Sequence, residues 1–569
     1  MVSNLKYYVG IDLGTTNSTV SVISLPDGKS NPIHHLKQMP IYQYDVNQNP
    51  MLNEHSLPSY LYFDIDNSII HSGYYAKELY SSGNRPMQTV QGVKMRLGND
   101  SVVQIPSVQD GSYCERFTMT QCSAIYLKTI RQSLIKQLQV EISEAVITIP
   151  TAFTAEERLA TINAAKIAGF NRIHLIDEPT AALYWHAHNE DTDLQEHLKE
   201  KSQNILVYDI GGGTLDISIA NISLVQEGQK VGLKVKILGC SPRMDLGGND
   251  FDQLLGSYFL YDYERARQDL DDRTVEQQNQ MIARLVSQAE KQKIAFNNKI
   301  RRYMNNPRRK HSEELTASFE VANNQSAFTV LTYDILQKIF NSLTDPAGNN
   351  TLTSAIRPAL LKANLQVEDI DEIVITGGMS QFYLVEECLR EYFSTNQVRY
   401  QFIDHVSSVS KGAAIFHYSL SHQEDGKIHH NALRRLEVED KMAENIYLRI
   451  GAQFEVMIPH TAPPNSTGII KYVIQEDGLV EIPLFLYSGY GDDPIEYVRL
   501  GGQFIHLKQS MKKGEAIPVK WKIDEQKIIE LIVEDLADLS IESVLKEIPD
   551  AEACLDVIHQ FSINGKLFS

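Results

Sequence analysis

Residues 7–23 read YYVGIDLGTTNSTVSVI, and residues 204–220 read NILVYDIGGGTLDISIA. Each is an apolar, β-branched run that ends in aspartate, bends through Gly and Thr, and resumes as a second alternating run. That is the pattern of a β-hairpin. Asp12 falls on Asp209, Gly14 on Gly211 and Asn17 on Thr214. One such stretch alone reads equally as an ordinary β-turn. Two in register predict a duplicated α/β protein whose two bends face each other across a cleft.

The composition of the bends points to a phosphate ligand. Glycine lets backbone approach a ligand closely and take positive φ. Successive backbone N–H groups with threonine hydroxyls form an anion-binding nest. An aspartate at the end of each first strand would repel phosphate unless a divalent cation lay between them, so Asp12 and Asp209 imply Mg²⁺. No GxxxxGK[ST] stretch is present, and each bend leads into a strand rather than a helix, so this is not a Walker loop.

Between the hairpins, Val146–Ile149 reads as a strand stopped by Pro150. A helix follows, opened by a Thr154/Glu157 capping box and stopped at Gly169. In Asp177-Glu178-Pro179-Thr180-Ala181-Ala182, a carboxylate precedes a proline-started helix. It serves as an N-terminal cap or places Glu178 on the cleft floor; the residues leave both open. A third strand, Ile373–Thr376, ends in Gly377-Gly378, a step where backbone can approach a nucleoside.

Bulk properties narrow the partners. A chain of 569 residues exceeds one core and predicts two to four domains. The net charge of −19 argues against nucleic acid and anionic membrane. The basic residues Arg301, Arg302, Arg308, Arg309 and Lys310 read as a solvated loop or helix end. Five scattered cysteines without metal spacing suit a reducing compartment. No apolar run reaches membrane-helix length, and the first residues lack a signal peptide's apolar stretch, so a cytoplasmic protein is expected.

Taken together, GIDLGTTNS (10–18), VITIPTAFTAEERLATINAAKIAGF (146–170), DEPTAAL (177–183), DIGGGTLD (209–216), DLGGNDFD (245–252) and ITGGMSQ (375–381) resemble the seventy-kilodalton heat-shock chaperone family of the actin-like ATPase superfamily. The resemblance spans residues 7–420 and implies an α/β, two-lobed actin-like (ribonuclease-H-like) ATPase domain with ATP/ADP, Mg²⁺ and K⁺ as cofactors. It places Gly14, Thr15, Thr16, Asn17, Gly211, Gly212, Gly213 and Thr214 on the phosphates. Gly247, Gly248, Glu290, Lys293, Gly377, Gly378 and Gln381 complete the nucleotide contacts. Asp12 and Asp209 would hold hydrated Mg²⁺, and Asp216 matches an aspartate that helps bind K⁺. Lys77, in Gly73-Tyr74-Tyr75-Ala76-Lys77, is similar to a G-x-x-A-K lysine that orients the attacking water; its plainer reading is a surface lysine. Glu178 and Asp209 join Lys77 as the catalytic set, and Pro150 with Arg158 would relay nucleotide state. The residues themselves fit phosphoryl transfer to water by positioning and charge, with no covalent nucleophile.

The sequence also departs from that family. Ile294 and Gln381 stand where two arginines usually sandwich adenine, which forfeits about 0.5–2 kcal/mol of stacking. DHVSSVSKG (404–412) lacks the usual Asn-Pro-Asp. The linker, 421–444, lacks an acidic leucine run, which puts domain coupling in question.

The nucleotide-binding domain is expected over 1–420, with lobes 1–203 and 204–420, and a β-rich domain over 445–540. Its short alternating segments predict a small β-sandwich. Val480 and Ile482 would line a peptide pocket or belong to plain core. Residues 541–569 are expected as a short helical tail, with helical spacing at Ile541–Ile548 and Ala553–Phe561, too short for the family's lid. The expectation is therefore a divergent, bacterial-type, lidless ATP-dependent chaperone with slow ATPase activity. It would act on unfolded or specific protein clients with a J-domain co-chaperone and a nucleotide exchange factor. The alternative is a nucleotide-gated adaptor that binds one protein without folding it. A sugar or glycerol kinase of the same superfamily would leave the β-rich domain unexplained.

Overall fold

The computed structural model describes residues 5–25, 32–52, 56–98, 101–110, 114–189, 194–227, 230–242, 244–265, 274–322, 325–343, 351–394, 397–423, 436–439, 445–489, 497–524, 527–533 and 560–568. Among these, the repeated hairpin belongs to a repeated topology. Lobe I orders its strands Arg172–Asp177, Glu144–Ile149, Lys6–Asp12, Asn17–Leu25, Leu36–Gln38. Lobe II orders them Arg399–Phe402, Glu372–Thr376, Gln203–Ile210, Leu215–Glu227, Lys230–Cys240. In each lobe the first three strands are parallel neighbours and the last two add antiparallel. The middle strands are buried at nearly every residue, as a parallel sheet covered on both faces requires.

Local signals fix the helices that frame the cleft. Thr154 and Glu157 form the reciprocal capping box that opens Ala155–Ile167, and Gly169 follows its end at φ +97°. Thr274 and Gln277 do the same for the long helix Val275–Ile300.

Two helices join the lobes, Glu178–His188 and Ser408–Gln423. A Cβ on Gly412 would lie 1.7 Å from the Ala181 carbonyl oxygen, and one on Gly10 would lie 2.2 Å from the Ala414 amide. Only glycine permits so close a crossing. Around it Ala181, Ala182, Ala413, Ala414, Val207 and Val374 belong to one core shared by both lobes.

The β-domain is a sandwich. One sheet orders Gln453–Ile458, Asn445–Ile450, Leu479–Gly489, Val498–Met511; the other orders Thr467–Val473, Ala516–Ile523, Ile529–Ile532. It rests on lobe I: Leu159 packs against the sandwich core, and Ile528 packs against the core of lobe I.

Two features differ from expectation. Within the stretch expected as the linker, Leu436–Glu439 pairs in parallel with Leu233–Lys236 as a sixth strand of lobe II. The described part of the tail, expected as helical, holds a strand as well as a 3₁₀ turn. The Ile541–Ile548 segment lies outside the described residues, as does most of Ala553–Phe561. Beyond it, Ser562–Ile563 is a strand paired with Ile69–Ile70 of lobe I, and Gly565–Phe568 forms a 3₁₀ turn. Apolar spacing in so short a segment fits strand and helix equally, and pairing with a sheet edge decides between them.

Candidate active site

The two Gly/Thr bends face each other across a cavity of about 380 Å³. Their approach is tight. A Cβ on Gly212 would lie 1.7 Å from Thr16 Oγ1 of the opposite lobe, and one on Gly377 (φ +88°) would lie 2.5 Å from Asp209 Oδ1. The Asn249 amide donates to the Gly212 carbonyl at 2.6 Å, and the Gly248 amide donates to that of Gly211 at 3.1 Å.

At the cavity floor Asp12, Glu178 and Asp209 converge on one cation, Lys94. Lys94 lies in the 3₁₀ turn Val93–Arg96, is 6 % exposed, and is ion-paired with Glu178. Burial opposes its charge, but Glu178 and Asp12 outweigh burial and hold its pKa above the usual lysine value. Burial first, then the Glu178 charge, pushes Asp12 up to about 7, although Thr148 donates to it at 3.0 Å. Asp209 is likewise raised well above the carboxylate range, by burial and by Glu178, Asp216 and Asp12.

Three carboxylates sharing one lysine leave negative charge that a divalent cation would neutralise, so the residues fit Mg²⁺. Among the described residues no group of three His, Cys, Asp or Glu side chains is placed to ligate an ion directly.

Of the residues singled out from sequence, Asp12, Gly14, Thr15, Thr16, Asn17, Glu178, Asp209, Gly211, Gly212 and Thr214 line the cavity. So do Gly248, Glu290, Lys293, Gly377, Gly378 and Gln381. Lys293 is held by Asp252 at 2.8 Å. Gly213 lies behind the bend against Thr15 and Met95, and Gly247 lies against Gly211 and Gly212. Asp216 and Pro150 line a second, small void of about 10 Å³ that shares Lys94 and Thr214 with the main cavity.

Lys77 needs correction. It does not line the cavity; from the helix Tyr74–Ser81 it spans the cleft to Glu290 of lobe II at 2.8 Å. The lysine at the carboxylates is Lys94, which sequence reasoning missed. Flanking glycines at positive φ, Gly92 and Gly98, were the only local signal.

The opposite end of the cavity carries Ile294, Gln381, His405 and Val406. The Gln381 amide nitrogen lies 2.7 Å from His405 Nδ1. The Gln381 carbonyl accepts from Arg301 Nη2 at 2.8 Å, so one residue of the basic run braces this wall. Ile294 is half exposed, and among the described residues no arginine lines the cavity.

Arg158, the expected relay, is buried and donates to Asp177 at 2.9 Å. The other Asp177 oxygen accepts from Lys527 of the β-domain at 3.2 Å. Lys527 stands at φ +62°, an unusual backbone for lysine that sequence does not announce. Of the two residues read as peptide pocket or plain core, Ile482 is fully buried in the sandwich core, whereas Val480 is exposed.

The family model described as Hsp70 protein matches residues 8–429. "Chaperone protein DnaK" of Thermosipho africanus is 27% identical over 542 residues, covering 94% of this chain and 79% of the relative. "Chaperone protein DnaK" of Thermotoga neapolitana is 27% identical over 540 residues, with the same coverage.

Proposed function

The chain belongs to the Hsp70 protein family, and from that premise we propose how its residues divide the work of an ATP-dependent chaperone. It is a chaperone of the Hsp70 type that hydrolyses ATP to ADP and phosphate and binds protein clients. The observation that carries the reading of the site is the pair of opposed bends, with Asp12 and Asp209 on the floor of a single cavity.

Thr15, Thr16, Gly211, Gly212 and Thr214 hold the phosphates through backbone amides and hydroxyls. Asp12 and Asp209 would hold a hydrated Mg²⁺, which would supply positive charge to offset the negative charge of the phosphates. Lys94 and Glu178, locked together, position the attacking water and offset the charge that develops on the γ-phosphate. Lys77 instead clamps the two lobes over the bound nucleotide through Glu290. Asp216, set behind the bend, is the position for K⁺. Pro150 and Arg158 connect this floor to the β-domain by way of Asp177. Clients are delivered by a J-domain co-chaperone, and nucleotide is released with an exchange factor. The free thiols of Cys114, Cys122, Cys240 and Cys388 support a reducing, cytoplasmic setting. No helix among the described residues is long and apolar enough to cross a membrane.

The test is steady-state ATP hydrolysis with and without an unfolded peptide and a J-domain protein. Turnover stimulated by peptide is expected. Turnover deaf to peptide, with one protein partner retained in every nucleotide state, would replace the chaperone reading with the adaptor.

A further inference from the structure

The segment Phe561–Phe568 is seated on lobe I, far in sequence from the residues it touches and outside the nucleotide cavity. Its backbone extends a sheet: the Ser562 amide donates to the Ser68 carbonyl at 2.9 Å, and the Asn564 amide donates to that of Ile70 at 2.7 Å. Phe561, Ile563 and Leu567 are buried, and Phe561 packs edge-on against Phe117 at 5.5 Å between ring centroids.

The contact is also specific. The Asn564 side chain is fully buried, accepts from the Ser72 amide at 2.9 Å, and donates to Ser72 Oγ at 2.9 Å and Thr129 Oγ1 at 3.3 Å. Lys136 donates to the Leu567 carbonyl at 2.7 Å. Apolar collapse would not demand a buried amide with its oxygen and nitrogen both satisfied, since such a group is costly wherever its partners are missing.

We propose that lobe I carries a peptide-acceptor site, built from the edge Ser68–Ser72 with Thr129 and Lys136, whose ligand is the chain's own segment Phe561–Phe568. Backbone pairing supplies general affinity for an extended peptide, and the Asn564 pocket supplies selectivity, the usual division in strand addition. Because the segment follows the β-domain, its docking ties that domain to lobe I at a point separate from the Asp177–Lys527 contact. The inference is independent of the roles proposed for the nucleotide cavity.

The test uses the full chain and hydrogen exchange. In the wild type, the Ser562 and Asn564 amides are expected to be protected at least tenfold more than in Asn564→Ala. The pairing of Tyr60–Asp64 with Ile69–Ser72 should stay protected in both, which separates release of the segment from unfolding of lobe I. A fluorescent synthetic peptide of residues 560–568 should bind Asn564→Ala at least tenfold more tightly than wild type, whose site is occupied. A peptide carrying Asn564→Ala should bind neither chain. Unprotected Ser562 and Asn564 amides in the wild type would overturn the proposal, as would equal peptide binding to both chains. If Asn564→Ala loses protection throughout lobe I, Ile563→Ser replaces it in the same two measurements and must give the same pattern.

Discussion

Asp177 and Glu178 share a peptide bond and serve opposite surfaces: Glu178 holds Lys94 in the nucleotide cavity, while Asp177 holds Lys527 of the β-domain. A shift in one carboxylate therefore moves the backbone that carries the other. This is the shortest covalent route between the two domains' polar contacts.

Replacing Lys527 with alanine is expected to weaken docking of the β-domain by about 2 kcal/mol. A fully broken buried pair costs about 3–5 kcal/mol, but Arg158 remains to partner Asp177. Fluorescence transfer between labels on lobe I and the β-domain reads the change; an unaltered signal excludes the relay. The contact also has a defined pH sense. Burial raises the Asp177 pKa, but Lys527 and Arg158 together outweigh it and hold the group below the ordinary aspartate value. Its stabilisation is thus present above about pH 3.9 and is lost as pH falls further.

The two lysines should separate cleanly. Lys94→Ala is expected to lower kcat by about 10²–10³, since it removes a preorganised charge beside the reacting phosphate. Lys77→Ala should change kcat only a few-fold and act mainly on nucleotide release, because it loosens the clamp to Glu290. Single-turnover hydrolysis and nucleotide dissociation rates check both. The reverse ranking would restore the role first read for Lys77.

Restoring arginine at the far wall should tighten nucleotide binding. Ile294→Arg with Gln381→Arg is expected to raise ATP affinity about tenfold, from about 0.5–2 kcal/mol of cation–π and stacking energy at each position. Titration calorimetry reads it. Unchanged affinity would mean that the Gln381–His405 wall already grips the base.

Magnesium–nucleotide binding should release a proton. The Asp12 pKa is raised to about 7, so the free protein carries a proton there below that pH, and the stability linked to it is lost as pH rises through 7. Binding a cation favours the ionised carboxylate. Calorimetry in two buffers of different ionisation enthalpy should therefore show protons released at pH 6, from Asp209 as well as Asp12, and fewer at pH 8. Buffer-independent heats at pH 6 contradict this account.

Much of the fold was legible because it rests on local signals: two aspartate-ended hairpins, the capping box at Thr154, and the Gly377-Gly378 step after a buried strand. The site was legible where backbone chemistry demands a residue type, as at Gly212 beside Thr16 or Gly377 beside Asp209. It was illegible where a long side chain acts through its tip. Lys94 has no spacing rule, and the G-x-x-A-K stretch drew attention to Lys77, which reaches across the cleft instead. Lys527 and Asn564 matter only through partners hundreds of positions away, and pairing at that distance leaves no periodicity to read.

The Gly412–Ala181 crossing sets the kind of motion available to the lobes. With backbone pressed on backbone, the two helices cannot slide past each other, but they can scissor about the point where they touch. Loosening the lobes therefore widens the rim of the cleft far more than its floor. The base of a bound nucleotide would be uncovered before its phosphates are let go.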